Sequence, residues 1–214
     1  MPNRSLLKTY FNVTNTYVLT KLGIILFPFR HKNWQRASGR DASSQGGYCL
    51  LPPRDDINSP DLYIPLMAAV TYVLLVGVVQ GLRKAFHPDR LGATAMGAVI
   101  FILVELGLVK LGAYLLNFAS DVSLLDMLAI VGYNFVPLIV TLIIDLLFGR
   151  VGKYTAFIYT SLAMAFFMLR SLRYSFIPES SAGPTMAAPQ RRSRVNFLFA
   201  IVAIQIVCSF FLLV

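Results

Sequence analysis

The sequence predicts an all-α integral membrane protein: a bundle of five transmembrane helices with an amphipathic cytosolic segment ahead of it. Three observations lead there. Of the 214 residues, 57% are apolar and only 14% charged, where a soluble globular chain carries about 25% charge; the mean hydropathy is +0.66. The apolar residues gather in five runs. The basic residues, which give a net charge of +9, fall unevenly between the segments that join those runs.

This composition excludes a soluble enzyme, because too few polar side chains remain to coat its surface. It also excludes a disordered tail and a disulfide-built secreted module. The two cysteines, Cys49 and Cys208, lie in unlike settings and read as free thiols. The start, Met1 to Ser5, leads into mixed polar sequence rather than an apolar stretch with a cleavage site. Targeting is therefore expected to rest on an internal span.

The spans are expected near 62–82, 91–116, 127–144, 154–169 and 195–214. A helix rises about 1.5 Å per residue and the hydrocarbon core is about 30 Å thick, so roughly 20 apolar residues cross it. The first run has no charge at all. The second is interrupted by Glu105 and Lys110. The fourth is short, and its flanking Lys153 and Arg170 would have to snorkel. Strands are disfavoured because the runs lack period-2 alternation. Within run three, Pro137 predicts a kink. Gly77 and Gly81 in run one, and Ala93 and Gly97 in run two, have the small-x-x-x-small spacing that lets helices approach.

Three segments follow: a cytosolic region 1–36, a linker 37–61 rich in Ser, Gly, Pro and Asp, and the five-span domain 62–214. Eight basic residues precede the first span and five lie in 170–194, against three in 83–90 plus Arg150 and Lys153 on the other side. By the positive-inside rule the N-terminus is cytosolic and the C-terminus lumenal or exterior. Residues 17–29 are apolar around a lone Lys21 and are followed by a basic, aromatic stretch. This pattern fits a helix lying in the headgroup layer of the bilayer, with Phe27, Phe29, Arg30, Lys32, Trp34 and Arg36 at the membrane interface. A helix packed on the bundle is the other reading.

Glu105 sits mid-span, where a carboxylate is costly unless paired, protonated or wet. Lys110 is about 140° away around the helix, so Tyr133 and Asn134 of run three are the candidate partners. Two readings follow: a polar contact between helices, or a small transporter or channel centred on Glu105, with Pro137 opening the backbone. No catalytic, cofactor or metal constellation is present in the sequence: the histidines are His31 and His87 alone, and Asp55-Asp56 is too small a cluster for a metal. No cofactor is expected. The basic stretch at 30–36 is too small to argue for nucleic acid. Asp61, within Asn58-Ser59-Pro60-Asp61, has helix-start chemistry for the first span. The acids of this block have two further readings, binding Arg30, Lys32 or Arg36 to fold the linker back, or offering an acidic face to a partner.

Particular residues carry a resemblance. Tyr10-Phe11-Asn12-Val13-Thr14-Asn15-x-Tyr17-Val18-Leu19 is followed by Leu26-Phe27-Pro28-Phe29-Arg30-His31-Lys32-x-Trp34. Next comes Pro52-Pro53-Arg54-Asp55-Asp56-Ile57-Asn58-Ser59-Pro60-Asp61-Leu62-Tyr63-Ile64-Pro65. Phe86-His87-Pro88 opens the second span and Phe167-Met168-Leu169-Arg170-Ser171-Leu172 closes the fourth. From residue 10 to about 175 the chain resembles the Yip-interacting-factor (Yif) family of the larger Yip-domain group. In span three the family's usual Gly-Tyr-Lys-Phe-Val reads Gly132-Tyr133-Asn134-Phe135-Val136. The resemblance implies a multi-pass protein of the endoplasmic reticulum, the ER–Golgi intermediate compartment and the Golgi membrane. It implies a non-enzymatic adaptor in ER-to-Golgi vesicle transport, COPII vesicles included. The implied partners are a Yip-type multispan membrane protein and a Rab-type small GTPase, bound directly or through that protein. The candidate assembly residues are Arg54, Asp55, Asp56, Asp61, Tyr63, Glu105, Tyr133 and Asn134.

Overall fold

The computed structural model describes residues 3–40, 48–115, 123–176 and 188–213. Two short helices come first, α1 (Asn3–Phe11) and α2 (Asn15–Leu26), then a single 3-10 turn at Pro28–Arg30. A small hairpin, β1 (Ser38–Arg40) with β2 (Tyr48–Leu50), pairs antiparallel with Gly39 opposite Cys49. Long apolar helices make up the rest: α3 (Tyr63–Leu82), α4 (Pro88–Leu115), the short α5 (Leu124–Gly132), α6 (Phe135–Phe176) and α7 (Ala188–Leu213).

Four stretches are long and apolar enough to cross a membrane: Tyr63–Leu82, Pro88–Tyr114, Leu124–Arg173 and Val195–Leu213. The third has 50 residues. Straight, it would measure about 75 Å, more than twice the hydrocarbon thickness. It is folded back at Gly149, whose φ of 68° and ψ of −160° suit glycine alone. The two limbs, 135–148 and 150–176, lie side by side, with Thr141 Oγ1 3.2 Å from Thr160 Oγ1. The five expected runs thus lie in helical segments, the third and fourth sharing one of the four candidate stretches on either side of Gly149. The limb that carries the fourth is longer than the apolar run itself, so Lys153 and Arg170 need not stretch to bring it across.

Pro137 is not the site of the break in run three. Ser123 caps α5 by accepting from the Asp126 N–H. The helix ends at Gly132, and a new one starts at Phe135. Pro137 therefore lies in the first turn of α6, where its missing N–H has no helical acceptor to leave empty.

The α5–α6 unit is the hub. Its most apolar window is 72% buried, whereas those of α3, α4 and α7 are only 22–28% buried. The outer helices turn Leu66, Leu74, Leu103 and Phe211 outward, a surface that only lipid or an apolar partner covers at low cost. Tyr72, Phe101, Phe135, Leu138 and Phe167 fill one core, and Val109, Val131, Met168, Leu172 and Ile201 fill another. Residues of the N-terminal region belong to the first: Tyr17 and Ile25 on α2, and Trp34 after it, are buried there. Hereafter the near end of the bundle is where α3 begins, and the far end is where α3 finishes.

One close helix approach falls at a glycine outside the small-x-x-x-small pairs, although Gly77 of the first pair also meets Leu91. A Cβ on Gly132 would lie 2.5 Å from Pro65 Cβ, while Gly81 and Gly97 face open space. Overpacking of this kind costs about 1–3 kcal/mol. Gly132→Ala should lower unfolding stability in detergent by that amount, while Gly81→Ala leaves it unchanged or slightly raised; equal effects would show that α3 and α5 do not meet there.

Candidate functional site

The near end is held by buried polar groups. Asp61 is 0% exposed. Its Oδ2 accepts the Ile64 N–H at 2.8 Å, which ties down the first turn of α3. Its Oδ1 accepts from the Tyr133 hydroxyl at 2.5 Å and lies 3.2 Å from the Tyr17 hydroxyl. The Asp61 N–H in turn donates to the Tyr133 oxygen at 2.9 Å. One carboxylate so joins α2, α3 and the α5–α6 junction.

Lys21 supplies the positive charge. Its position in an apolar helix, one turn after Tyr17, sends it to the same inward face. It is 3% exposed, and its Nζ donates to the Ile57 carbonyl at 2.5 Å and the Ser59 carbonyl at 3.1 Å. The ammonium stands 5.7 Å from the ring centres of both Tyr17 and Tyr133, within cation–π range. Burial lowers its pKa from 10.5 to about 8, against the opposing pull of Asp61 and Asp56. The Tyr17 hydroxyl, which also donates to the Ser59 carbonyl at 2.7 Å, is pushed upward, first by burial and then by the Asp61 charge.

Two further ties flank this centre. Asp126 accepts from the Tyr10 hydroxyl at 2.6 Å and from Arg36 at 3.0 Å. Burial, followed by the bond to Asp126, raises the Tyr10 pKa. Asp56 accepts from the Asn58 and Ala37 N–H groups at 2.9 Å each. Asn58 donates to the carbonyls of Asn33 and Gln35 and faces His31 Nε2 at 3.0 Å. Residues 31–37 and 51–61 therefore fold together instead of trailing as a linker.

The predicted residues divide accordingly. Asp61 and Tyr133 meet in this centre and Asp56 flanks it, while Arg36 meets Asp126 rather than Asp55, Asp56 or Asp61. Arg54 and Asp55 are exposed on an open groove of about 690 Å³ that also touches Tyr17, Thr20, Arg30 and His31. Tyr63 is 37% exposed at the start of α3. Trp34 lies inside the protein, edge-on to Phe166 and Phe167, its indole N–H on the His31 carbonyl at 2.9 Å. Phe27, Phe29, Arg30 and Lys32 stay exposed. So α2 packs on the bundle while the turn that follows it offers an aromatic and basic edge outward. Tyr133 and Asn134 do not pair with Glu105: the first is taken by Asp61, and the amide of the second donates to Ser209 Oγ at 2.6 Å. Glu105 is 3% exposed, with neither oxygen hydrogen-bonded among the described residues, and it lies near Cys208 of α7.

Sequence reasoning singled out Lys21 as a lone charge but gave it no partner. It did not single out Tyr10, Tyr17 or Ser59. A single charge inside an apolar helical stretch was the available signal, since such a charge is kept only where something buried receives it.

The titration of Lys21 gives a test. Its folded-state pKa lies below its unfolded value, so the charged form opposes folding below about pH 8, and this opposition fades as the pH rises towards 10.5. Tyr17 and Tyr10 act in the other direction only as the pH passes their ordinary 10.0. Between about pH 8 and 9.5, stability in detergent should rise by about 2 kcal/mol. Lys21→Met should flatten that rise; an unchanged slope would assign it to another group.

Comparison with known proteins gives this geometry its relatives. Residues 1–213 match the YIF1 family. "Protein transport protein yif1" of Schizosaccharomyces pombe is 44% identical over 207 residues, covering 95% of this chain and 70% of that protein. "Protein YIF1A" of Mus musculus is 40% identical over 93% of this chain and 65% of its own length. "Protein transport protein YIF1" of Saccharomyces cerevisiae is 39% identical over 82% of this chain and 55% of its own. No solved structure matches. With a family match over nearly its whole length and relatives of this identity, the chain belongs to the YIF1 family.

Proposed function

We propose that this chain is a non-enzymatic membrane adaptor in protein transport between the endoplasmic reticulum and the Golgi. Residues 1–61 form its partner-facing head and 62–214 its five-span anchor. The head is cytosolic and the C-terminus lumenal, as the distribution of basic residues favours. The chain resides in the membranes of the endoplasmic reticulum, the intermediate compartment and the Golgi. It assembles with a Yip-type multispan protein and, directly or through it, with a Rab-type GTPase on COPII-dependent routes. Two relatives carry the name protein transport protein.

One observation carries the reading. Arg54 and Asp55 point outward from a segment whose neighbours, Pro53 and Asp56, are buried. The backbone there is fixed while the two charges remain unspent. A rigid loop presenting exposed opposite charges beside an open groove is suited to recognising a partner surface, where complementary charge sets specificity. A transporter centred on Glu105 has less support: Asn134 is already bonded, and the cavity beside Asn134, Gln205 and Ser209 is about 10 Å³, at the lower limit for one water.

Two outcomes test this. Affinity purification from membranes should recover a multispan partner, and Arg54→Glu with Asp55→Arg should reduce its recovery about tenfold without changing thermal stability; undiminished recovery would remove the groove from the interface. In sealed microsomes, protease should cleave an N-terminal tag and spare a C-terminal one, and the reverse pattern would overturn the orientation.

A further inference from the structure

The far end carries a second concave site that the adaptor reading does not use. It is an open depression of about 460 Å³ between the end of α3, the start of α4, the Gly149 hairpin and the end of α7. Arg83, Arg90 and Lys153 line it, with Asp145 as the one acid among the lining residues. Asp145 is 4% exposed and accepts from Arg83 at 2.7 Å. Lys153 gives one of its protons to the Leu213 carbonyl at 2.7 Å, leaving two. Arg90 is exposed, and among the described residues its guanidinium has no partner. The wall therefore holds two positive charges beyond what its acid offsets.

Beside Tyr72 and Thr94 the remaining walls are largely apolar, with Leu142 buried, Val76 partly buried and Phe211 exposed at the rim. Gln80 adds a buried Oε1 that accepts no hydrogen bond. The positive-inside rule makes these cations more telling. Lys and Arg are depleted on the far side, and three of the five there surround this one depression. Orienting the chain does not require them at this spot.

We propose that this depression binds an anionic phospholipid of the far leaflet. The phosphate is held by Arg90, Lys153 and the free edge of Arg83. A headgroup hydroxyl donates to Gln80 Oε1, and an acyl chain lies along Val76, Leu142 and Phe211. Charge complementarity selects the anion. The apolar floor, set between membrane-spanning helices, selects a lipid over free phosphate. The cavity volume falls within the roughly 300–1,000 Å³ of small-molecule sites.

The test is native mass spectrometry of the full chain in detergent, titrated with phosphatidylinositol, with phosphatidylcholine and with inorganic phosphate. The expected result is a one-to-one adduct with phosphatidylinositol, little with phosphatidylcholine, and no competition from millimolar phosphate. Arg90→Ala removes a side chain with no contact that holds the fold, and it should weaken the adduct about tenfold, the scale of one charge-assisted hydrogen bond. Lys84→Ala, exposed but outside the depression, should leave it unchanged. Equal adducts with both lipids, an unaffected Arg90→Ala, or an equal loss in Lys84→Ala would overturn the proposal. So would phosphate competing as well as lipid, or a change from dimer to monomer in Arg90→Ala with no lipid lost, which would mean that a second chain sits there.

Discussion

The structure hangs on a charge that has no business being buried. Lys21 is an ammonium inside protein, and isolated it would cost several kcal/mol. It is tolerated because two backbone carbonyls, two tyrosine faces and the nearby Asp61 and Asp56 receive it together. These groups converge on the ammonium from α2, the 57–61 segment and the α5–α6 junction. Asp61 must be at the first turn of α3, Tyr133 at the end of α5, and residues 57–59 folded under α2. The requirement that one cation be compensated therefore fixes how the head sits on the anchor.

That arrangement separates two kinds of charge in one short segment. In Arg54-Asp55-Asp56-Ile57-Asn58-Ser59-Pro60-Asp61, Asp56 and Asp61 are consumed internally, while Arg54 and Asp55 are left outside. A composition count sees three aspartates. The structure sees two struts and one contact point. The internal pair gives the external pair a fixed geometry, which lowers the ordering cost that a flexible acidic linker would pay on binding.

The membrane part was readable from sequence because lipid imposes so strong a rule. Every apolar run lies largely in helix, within four stretches long and apolar enough to cross a membrane, although run three is broken between Gly132 and Phe135. Asp61 was also legible as a helix-start residue, since its chemistry is local. What escaped was long-range. Nothing in the order of residues says that Tyr133 answers to Asp61, 72 residues earlier, rather than to Glu105. Trp34 carried the composition of an interface anchor and went inside, because Phe166 and Phe167 offered it an aromatic bed. The pairing of Tyr10 and Arg36 with Asp126 likewise depends on α1, the 31–37 segment and α5 meeting, which no periodicity encodes.

The fold-back at Gly149 has a consequence for how the protein is made. With so tight a turn between the third and fourth crossings, there is no hydrophilic loop for the insertion machinery to translocate as a separate step. The two limbs touch directly, Thr141 Oγ1 against Thr160 Oγ1, a geometry suited to entering the bilayer together as a helical hairpin. A single glycine thereby sets the direction of the chain: without the reversal at Gly149, the segments after it would leave from the opposite end of the bundle.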